Sequence, residues 1–163
     1  MAAEKIRGVL AGKLPNNQVD LHNIADYSSE ELIALLEHYS HLILGIPTWD
    51  YGELQEDWDA IWDDLPQGDF NGKKVAVFGL GDQVGYPLWF QDALGYLYHH
   101  IKALGANMAG HWPNQGYEYE KSQALTPDGQ YFVGLPLDDE NEAEKSQDRI
   151  EGWCEQVIGE FSL

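Results

Sequence analysis

The run HLILGI, residues 41–46, passes directly into PTWDYGE, residues 47–53, and its reading decides the fold class. Leu42, Ile43, Leu44 and Ile46 are apolar without strict alternation, so both faces of the segment are apolar. A short run of that kind suits a strand buried on both sides within a parallel sheet. A second such run, KVAVF at 74–78, passes into GLGDQVGYP at 79–87. Parallel strands need helical crossovers, and ligands of such sheets bind beyond the carboxyl ends of the strands. The informative residues are therefore those that follow the two runs.

Outward from these runs, helices and strands alternate. Residues 2–11 read as a short helix with Ile6, Val9 and Leu10 on one face. Ser28 and Glu31 fit a capping box ahead of Leu32, Leu35 and Leu36. Leu54, Trp58, Ile61, Trp62 and Leu65 form a helical stripe, with acids over the rest of the surface. Phe90, Leu94, Leu97, Ile101 and Leu104 form another, which Gly105 is placed to end. Ile150, Trp153, Val157, Ile158 and Phe161 mark the last helix. Strands are expected near 17–21, 41–46, 74–79, 107–112 and 131–135. The expectation is an α/β three-layer sandwich with a parallel sheet, in one unit over residues 1–163.

Composition narrows the function classes. Twenty-eight acids against nine bases give a formal charge of −19. Nucleic acid and anionic membranes are poor partners for such a chain, because both call for clustered Lys and Arg. A basic protein partner is compatible with it, and so is solubility alone. No apolar run approaches the ~20 residues of a membrane span, and a cytoplasmic location is expected. The single cysteine, Cys154, allows neither an internal disulfide nor a thiolate-bound cluster. It sits in a helical apolar pattern and reads as an inert core thiol. His99 and His100 are adjacent on a helix, pointing about 100° apart, so they do not form a metal pair. Asp138, Asp139 and Glu140 read as a solvated turn. The polar stretch 114–130 reads either as a partner surface or as cover for the sheet.

The two loops carry the chemistry. Trp49, in a turn with Gly52 directly after a buried strand, is poorly placed for the core and well placed to cover a flat ligand. It can equally be one exposed aromatic among many. In the second loop Gly79, Gly81 and Gly85 let the backbone approach a ligand, Asp82 offers an acceptor, and Tyr86 offers a second aromatic face. Together the loops suit a planar heterocycle with hydrogen-bonding edges.

GIPTWDYGELQEDW and FGLGDQVGYPLWFQDALG resemble the two flavin-binding loops of long-chain flavodoxins in residue types, spacing and order. The polar insertion before the last strand and DRIEGWCEQVIGEF are similar to that subclass as well. The opening MAAEKIRG and the WDYGE form of the first loop are most similar to the flavodoxin-2 type. The resemblance implies FMN as cofactor and low-potential one-electron transfer rather than catalysis. It implies that Trp49 and Tyr86 stack on opposite flavin faces, and that Asp50, Tyr51 and Gly52 lie near flavin N5. Thr48 falls on the ribityl–phosphate side, while Gly81, Asp82 and Gln83 line the pyrimidine edge, and Gly79 is implied as a further cofactor-binding residue. Asp50, Asp82 and the acidic helix would disfavour negative charge on the flavin and lower its potential. The implied partners are an NAD(P)H-dependent flavodoxin reductase and acceptor redox proteins, met by a monomer through its acidic face. Alternatives are a flavin-deficient or non-flavin binding module and an NAD(P)H:quinone reductase. The last needs room above the flavin that a Trp–Tyr sandwich fills.

The resemblance also implies a strand and a phosphate loop of the form Ser/Thr-x-Thr-Gly-x-Thr ahead of the first helix. In this sequence Met1 falls where that helix begins, and the only threonines are Thr48 and Thr126. The family strand order, 2-1-3-4-5, should then show a gap at position 1. Either a channel separates 17–21 from 41–46, or the two move together. FMN should be held less tightly than the family norm.

Overall fold

The structure, a computed structural model, describes residues 1–163. In chain order it contains α1 (Ala2–Lys13), α2 (Ser29–His38), β1 (His41–Trp49), β2 (Glu53–Leu54), α3 (Glu56–Ile61), β3 (Lys74–Leu80) and α4 (Asp92–Ala103). These are followed by β4 (Asn107–Ala109), β5 (Trp112–Pro113), β6 (Tyr131–Phe132), β7 (Leu135–Leu137) and α5 (Ala143–Phe161). The expected capping box forms at α2: Ser28 N–H donates to Glu31 Oε2 (3.0 Å), and Glu31 N–H donates to Ser28 Oγ (3.3 Å). It satisfies donors that the helix itself cannot.

β1 and β3 pair in parallel from His41 opposite Lys74 to Pro47 opposite Leu80. The far edge of β3 is shared by β4, opposite residues 74–76, and β7, opposite residues 78–80, both parallel. β2 folds back antiparallel on the end of β1, pairing Thr48 with Leu54 and Trp49 with Glu53. One face of the sheet packs Leu44, Ile46, Val75 and Val77 against Leu32, Leu94, Leu97 and Ile101 of α2 and α4. The other packs Ala76 and Phe78 against Ile6 and Leu10 of α1 and Ile150, Trp153 and Val157 of α5. These are the three layers that the two apolar runs predict. Cys154 is buried in the second layer, and burial pushes its thiol up to about 11, so it is not nucleophilic at neutral pH. No helix is long and apolar enough to cross a membrane.

Several expectations need correction. Residues 17–21 are not a strand. A strand needs a ladder partner, and between this segment and β1 lies a channel of about 740 Å³ lined by Val19, Leu21, Leu42, Leu44, Ile6 and Leu10 among others. Of the two expected outcomes, the channel is therefore the one that forms. Residues 107–112 do not make one strand. Gly110, at φ +83°, breaks the segment, and Trp112–Pro113 joins Tyr131–Phe132 in a separate two-stranded sheet. Residues 131–135 divide likewise, with only 135–137 reaching the main sheet. The helix after the first loop ends at Ile61. Trp62 instead stacks on His100 with ring centroids 4.5 Å apart, and Leu65 lies in a short 3-10 turn.

Candidate functional site

The carboxyl ends of β1 and β3 project the two loops toward each other. The first begins where β1 ends. Trp49 is held by its backbone pairing with Glu53, yet its side chain is 45% exposed. The chain then turns through two left-handed residues, Asp50 at φ +41° and Gly52 at φ +89°. Gly52 is buried, and a Cβ there would meet Asp92 Oδ2 at 3.0 Å and Trp89 Cδ1 at 3.1 Å. The loop is thus seated on the start of α4. Thr48 completes that seat, since Ala93 N–H donates to Thr48 Oγ1 (3.1 Å).

Tyr86 ties the loops together. Its hydroxyl donates to Asp50 Oδ1 (3.3 Å), and its ring meets Tyr51 edge-on with centroids 6.0 Å apart. Tyr51, 66% exposed, also meets Trp89 edge-on at 5.1 Å. The Asp50 carboxylate beside the Tyr86 phenol raises it above its ordinary value, so the phenol stays a donor at neutral pH.

The second loop spends most of its own amides on itself. Val84 N–H and Gly85 N–H donate to Asp82 Oδ1 at 3.1 and 2.7 Å, and Asn141 Nδ2 donates to the same oxygen at 2.8 Å. Burial works against the Asp82 charge, but the bonds from Gly85, Asn141 and Val84 outweigh it and hold the carboxyl below its usual range. Gln83 N–H donates to Asp138 Oδ2 (3.1 Å), and Gly81 N–H to Leu137 O (3.0 Å). The Gln83 side chain points inward and accepts from Glu118 N–H. Gly79 lies buried within β3 and Gly81 in the loop just beyond it. A Cβ on either would run into the buried side chain of Gln91, which sits at φ +64°.

The structure thus brings Asp50, Tyr51 and Tyr86 together at the ends of the strands, while Trp49, 45% exposed, borders the channel beside β1. Thr48, Gly52, Asp82 and Gln83 support the loops with side chains or backbone already engaged. Gly79 and Gly81 make room for Gln91. Several supporting residues carry no local sequence signal. Asp138 is fully buried rather than solvated, accepting from Gln83 N–H and from Asn141. The segment 114–130 acts as cover: Tyr117 and Tyr119 pack on Phe90 and Phe132, and Glu120 and Lys121 N–H donate to Pro87 O at 2.9 and 3.0 Å. Pairing of an aromatic run with an apolar strand end could have pointed to the tyrosines. Nothing short-range marks Asp138.

The loops expose the aromatic side chains of Tyr51 and Trp49 beside the acidic Asp50 and Asp82. They can clasp a flat ring and exclude water from part of it. They offer no cation, because no Lys, Arg or His lies between Leu42 and Gly72 or in residues 79–87.

The family model for flavodoxin matches residues 1–153. Flavodoxin 2 of Salmonella typhi is 49% identical over 162 residues, spanning 99% of this chain and 89% of the relative. Flavodoxin of Synechococcus elongatus is 44% identical over 161 residues, with the same shares of 99% and 89%. The crystal structure of Fusobacterium nucleatum flavodoxin bound to flavin mononucleotide superposes with a TM-score of 0.83 at 28% identity, covering 95% of this chain and 89% of that one. With a parallel sheet of this order and two aromatic loops at its carboxyl edge, the chain belongs to the flavodoxin family.

Proposed function

We propose that this protein is an FMN-dependent one-electron carrier, not an enzyme, and that Trp49 and Tyr86 bound its flavin slot. The observation that supports the reading is the contact between two loops, each following a buried parallel strand, made by Tyr86 with Asp50 and Tyr51. When bound, FMN supplies the redox chemistry, and the protein supplies binding and electrostatics. The ring fits these loops: Trp49 and Tyr51 present exposed aromatic surface, and Asp50 and Tyr86 fix the slot's edge. Asp50, Asp82 and the acids of α3 place negative charge near the ring and so disfavour its gaining more. The phosphate has no cation to meet in either loop.

Trp49→Ala is the direct test. Losing the stacked face should weaken binding of riboflavin, which lacks the phosphate, by roughly 0.5–1.5 kcal/mol beyond the area lost. Thermal stability should change little, since the side chain is 45% exposed. Unchanged affinity in that variant, measured by flavin fluorescence, would remove Trp49 from the site.

Flavodoxins exchange electrons with redox partners. For this chain we propose an NAD(P)H-dependent reductase with a basic docking patch, met in the cytoplasm by a monomer folded as one unit over residues 1–163. The acidic face comprises Glu53, Glu56, Asp57, Asp59 and Asp63, on and beside α3, most of them exposed and with no base among them. Opposite charge steers association, and salt screens it. Reduction by such a reductase should slow severalfold as ionic strength rises from about 20 to about 500 mM, over which the screening length contracts several times. Stopped-flow rates that ignore salt would place docking elsewhere.

A further inference from the structure

Gln91 departs from the local rules in three ways. It stands at the N-cap of α4 with φ +64° and ψ 22°, in the left-handed region that a non-glycine residue enters at a cost. It gives the helix no side-chain cap. Thr48, from the end of β1, does so instead, accepting from Ala93 N–H (3.1 Å). The Gln91 side chain turns inward and is fully buried. Its Oε1 is the only buried side-chain polar atom without a hydrogen-bond partner, and such an oxygen is destabilising. The root of the second loop is shaped around it, since a Cβ on Gly79 would collide with Oε1 and one on Gly81 would press on Nε2.

Against these costs stands one contact. Gln91 Nε2 donates to Leu137 O (2.9 Å) and lies 3.5 Å from Gly79 O. Leu137 O also accepts from Gly81 N–H (3.0 Å). One carbonyl of β7 is thus held from two sides, by the first residue after β3 and by the start of α4. Leu137 O does not need Gln91 for satisfaction, because Gly81 already serves it. An apolar side chain of the same length would leave no group orphaned and would remove an unpartnered oxygen. A residue that strains the backbone, leaves its helix uncapped and buries a free oxygen is retained for geometry rather than for stability. The geometry concerns both loops, since the start of α4 takes Thr48 from the first and holds the root of the second. We infer that Gln91 is a positioning residue: its amide fixes Gly79–Gly81 against β7 and so sets where Tyr86 meets Asp50 and the flavin ring. The part of this inference that concerns the ring rests on the flavin reading; the part that concerns the loop does not.

Gln91→Met keeps the length of the side chain and removes the amide. Its urea midpoint should equal or exceed that of the unsubstituted chain, because Leu137 O keeps Gly81 and the orphaned oxygen is gone. Riboflavin should nevertheless bind about fivefold more weakly, measured by flavin fluorescence. A second readout needs no flavin. The Tyr86 phenol is held above its ordinary value by the Asp50 carboxylate. In the ligand-free chain, isotope-labelled at tyrosine Cζ and titrated by NMR, Tyr86 should lose its proton at lower pH in the variant, as the loop moves from Asp50. Gln91→Leu should behave alike, which assigns the effect to the amide rather than to the thioether. If the unsubstituted chain binds no riboflavin, the flavin reading fails, and the Tyr86 titration alone decides the role of Gln91. An unchanged Tyr86 titration overturns the proposal. So does riboflavin affinity that stays the same in both variants of a chain that binds it. A urea midpoint that falls in step with affinity overturns it too, because Gln91 would then be an ordinary part of the core.

Discussion

Titrated with FMN and with riboflavin, the 163-residue chain should bind the two within about threefold of each other, a difference of roughly 0.7 kcal/mol. Riboflavin should be the tighter at low salt. In a site built for phosphate the order would be reversed by orders of magnitude, because each charge-assisted hydrogen bond contributes about 1.5–3 kcal/mol. Anion sites are made from free backbone amides, helix N-termini or cations. Here the second loop's amides are engaged: Gly81 with Leu137, Gln83 with Asp138, and Val84 and Gly85 with Asp82. The Thr48 hydroxyl already accepts from Ala93. Against this the dianion faces a chain of formal charge −19, with Asp50 and Asp82 in the loops themselves. Screening softens that repulsion at physiological salt, so the gap between the two ligands should narrow as salt rises. Tight stoichiometric quenching of FMN fluorescence, with riboflavin far weaker, would mean that a phosphate cradle exists in residues other than these.

The same accounting of backbone groups explains what the sequence made legible. Residues 41–46 and 74–79 could be read because burial on both faces leaves a local trace, an unbroken apolar run. The two loops could be read because Trp49 and Tyr86 follow those runs directly. Residues 17–21 look no different in type from a weak strand, but strand formation depends on a neighbour. Residues 17–21 make no ladder pairing, and side chains hold the segment: Tyr39 Oη donates to Asp20 Oδ2 (2.8 Å) and bonds His22 Nε2 (3.0 Å). The break at Gly110 follows from partners far along the chain. Trp153 Nε1 donates to Gly110 O (2.8 Å), and Gly110 N–H donates to Glu160 (2.6 Å). Asp82 shows the same limit at the site. Its residue type suggested an acceptor for a ligand, and its geometry makes it the hub of its own turn.

Asp138→Ala should be the most damaging single substitution near the site, costing about 3 kcal/mol or more of stability. The carboxylate is fully buried and accepts from Gln83 N–H at 3.1 Å, Asn141 N–H at 3.0 Å, and Asn141 Nδ2 at 3.0 and 2.9 Å on its two oxygens. Truncation leaves the Gln83 amide without its partner, and a buried unpaired donor costs roughly 1–3 kcal/mol by itself. It also frees Asn141, whose other contact is Asp82 Oδ1, so the turn that presents Tyr86 loses one of its three ties to that oxygen. Removing one acid from so acidic a chain relieves some repulsion, but exposed charges at a distance contribute little at ordinary salt. Asp138→Asn keeps an oxygen for Gln83 while giving up the charge, and should lose about half as much. Urea unfolding gives the stability, and riboflavin titration at low urea reports the loop, where affinity should fall in step. A loss below about 1 kcal/mol in Asp138→Ala would mean that water replaces the carboxylate without difficulty. The second loop would then be held by the cover segment, through Pro87 and Gln83, rather than by the turn before α5.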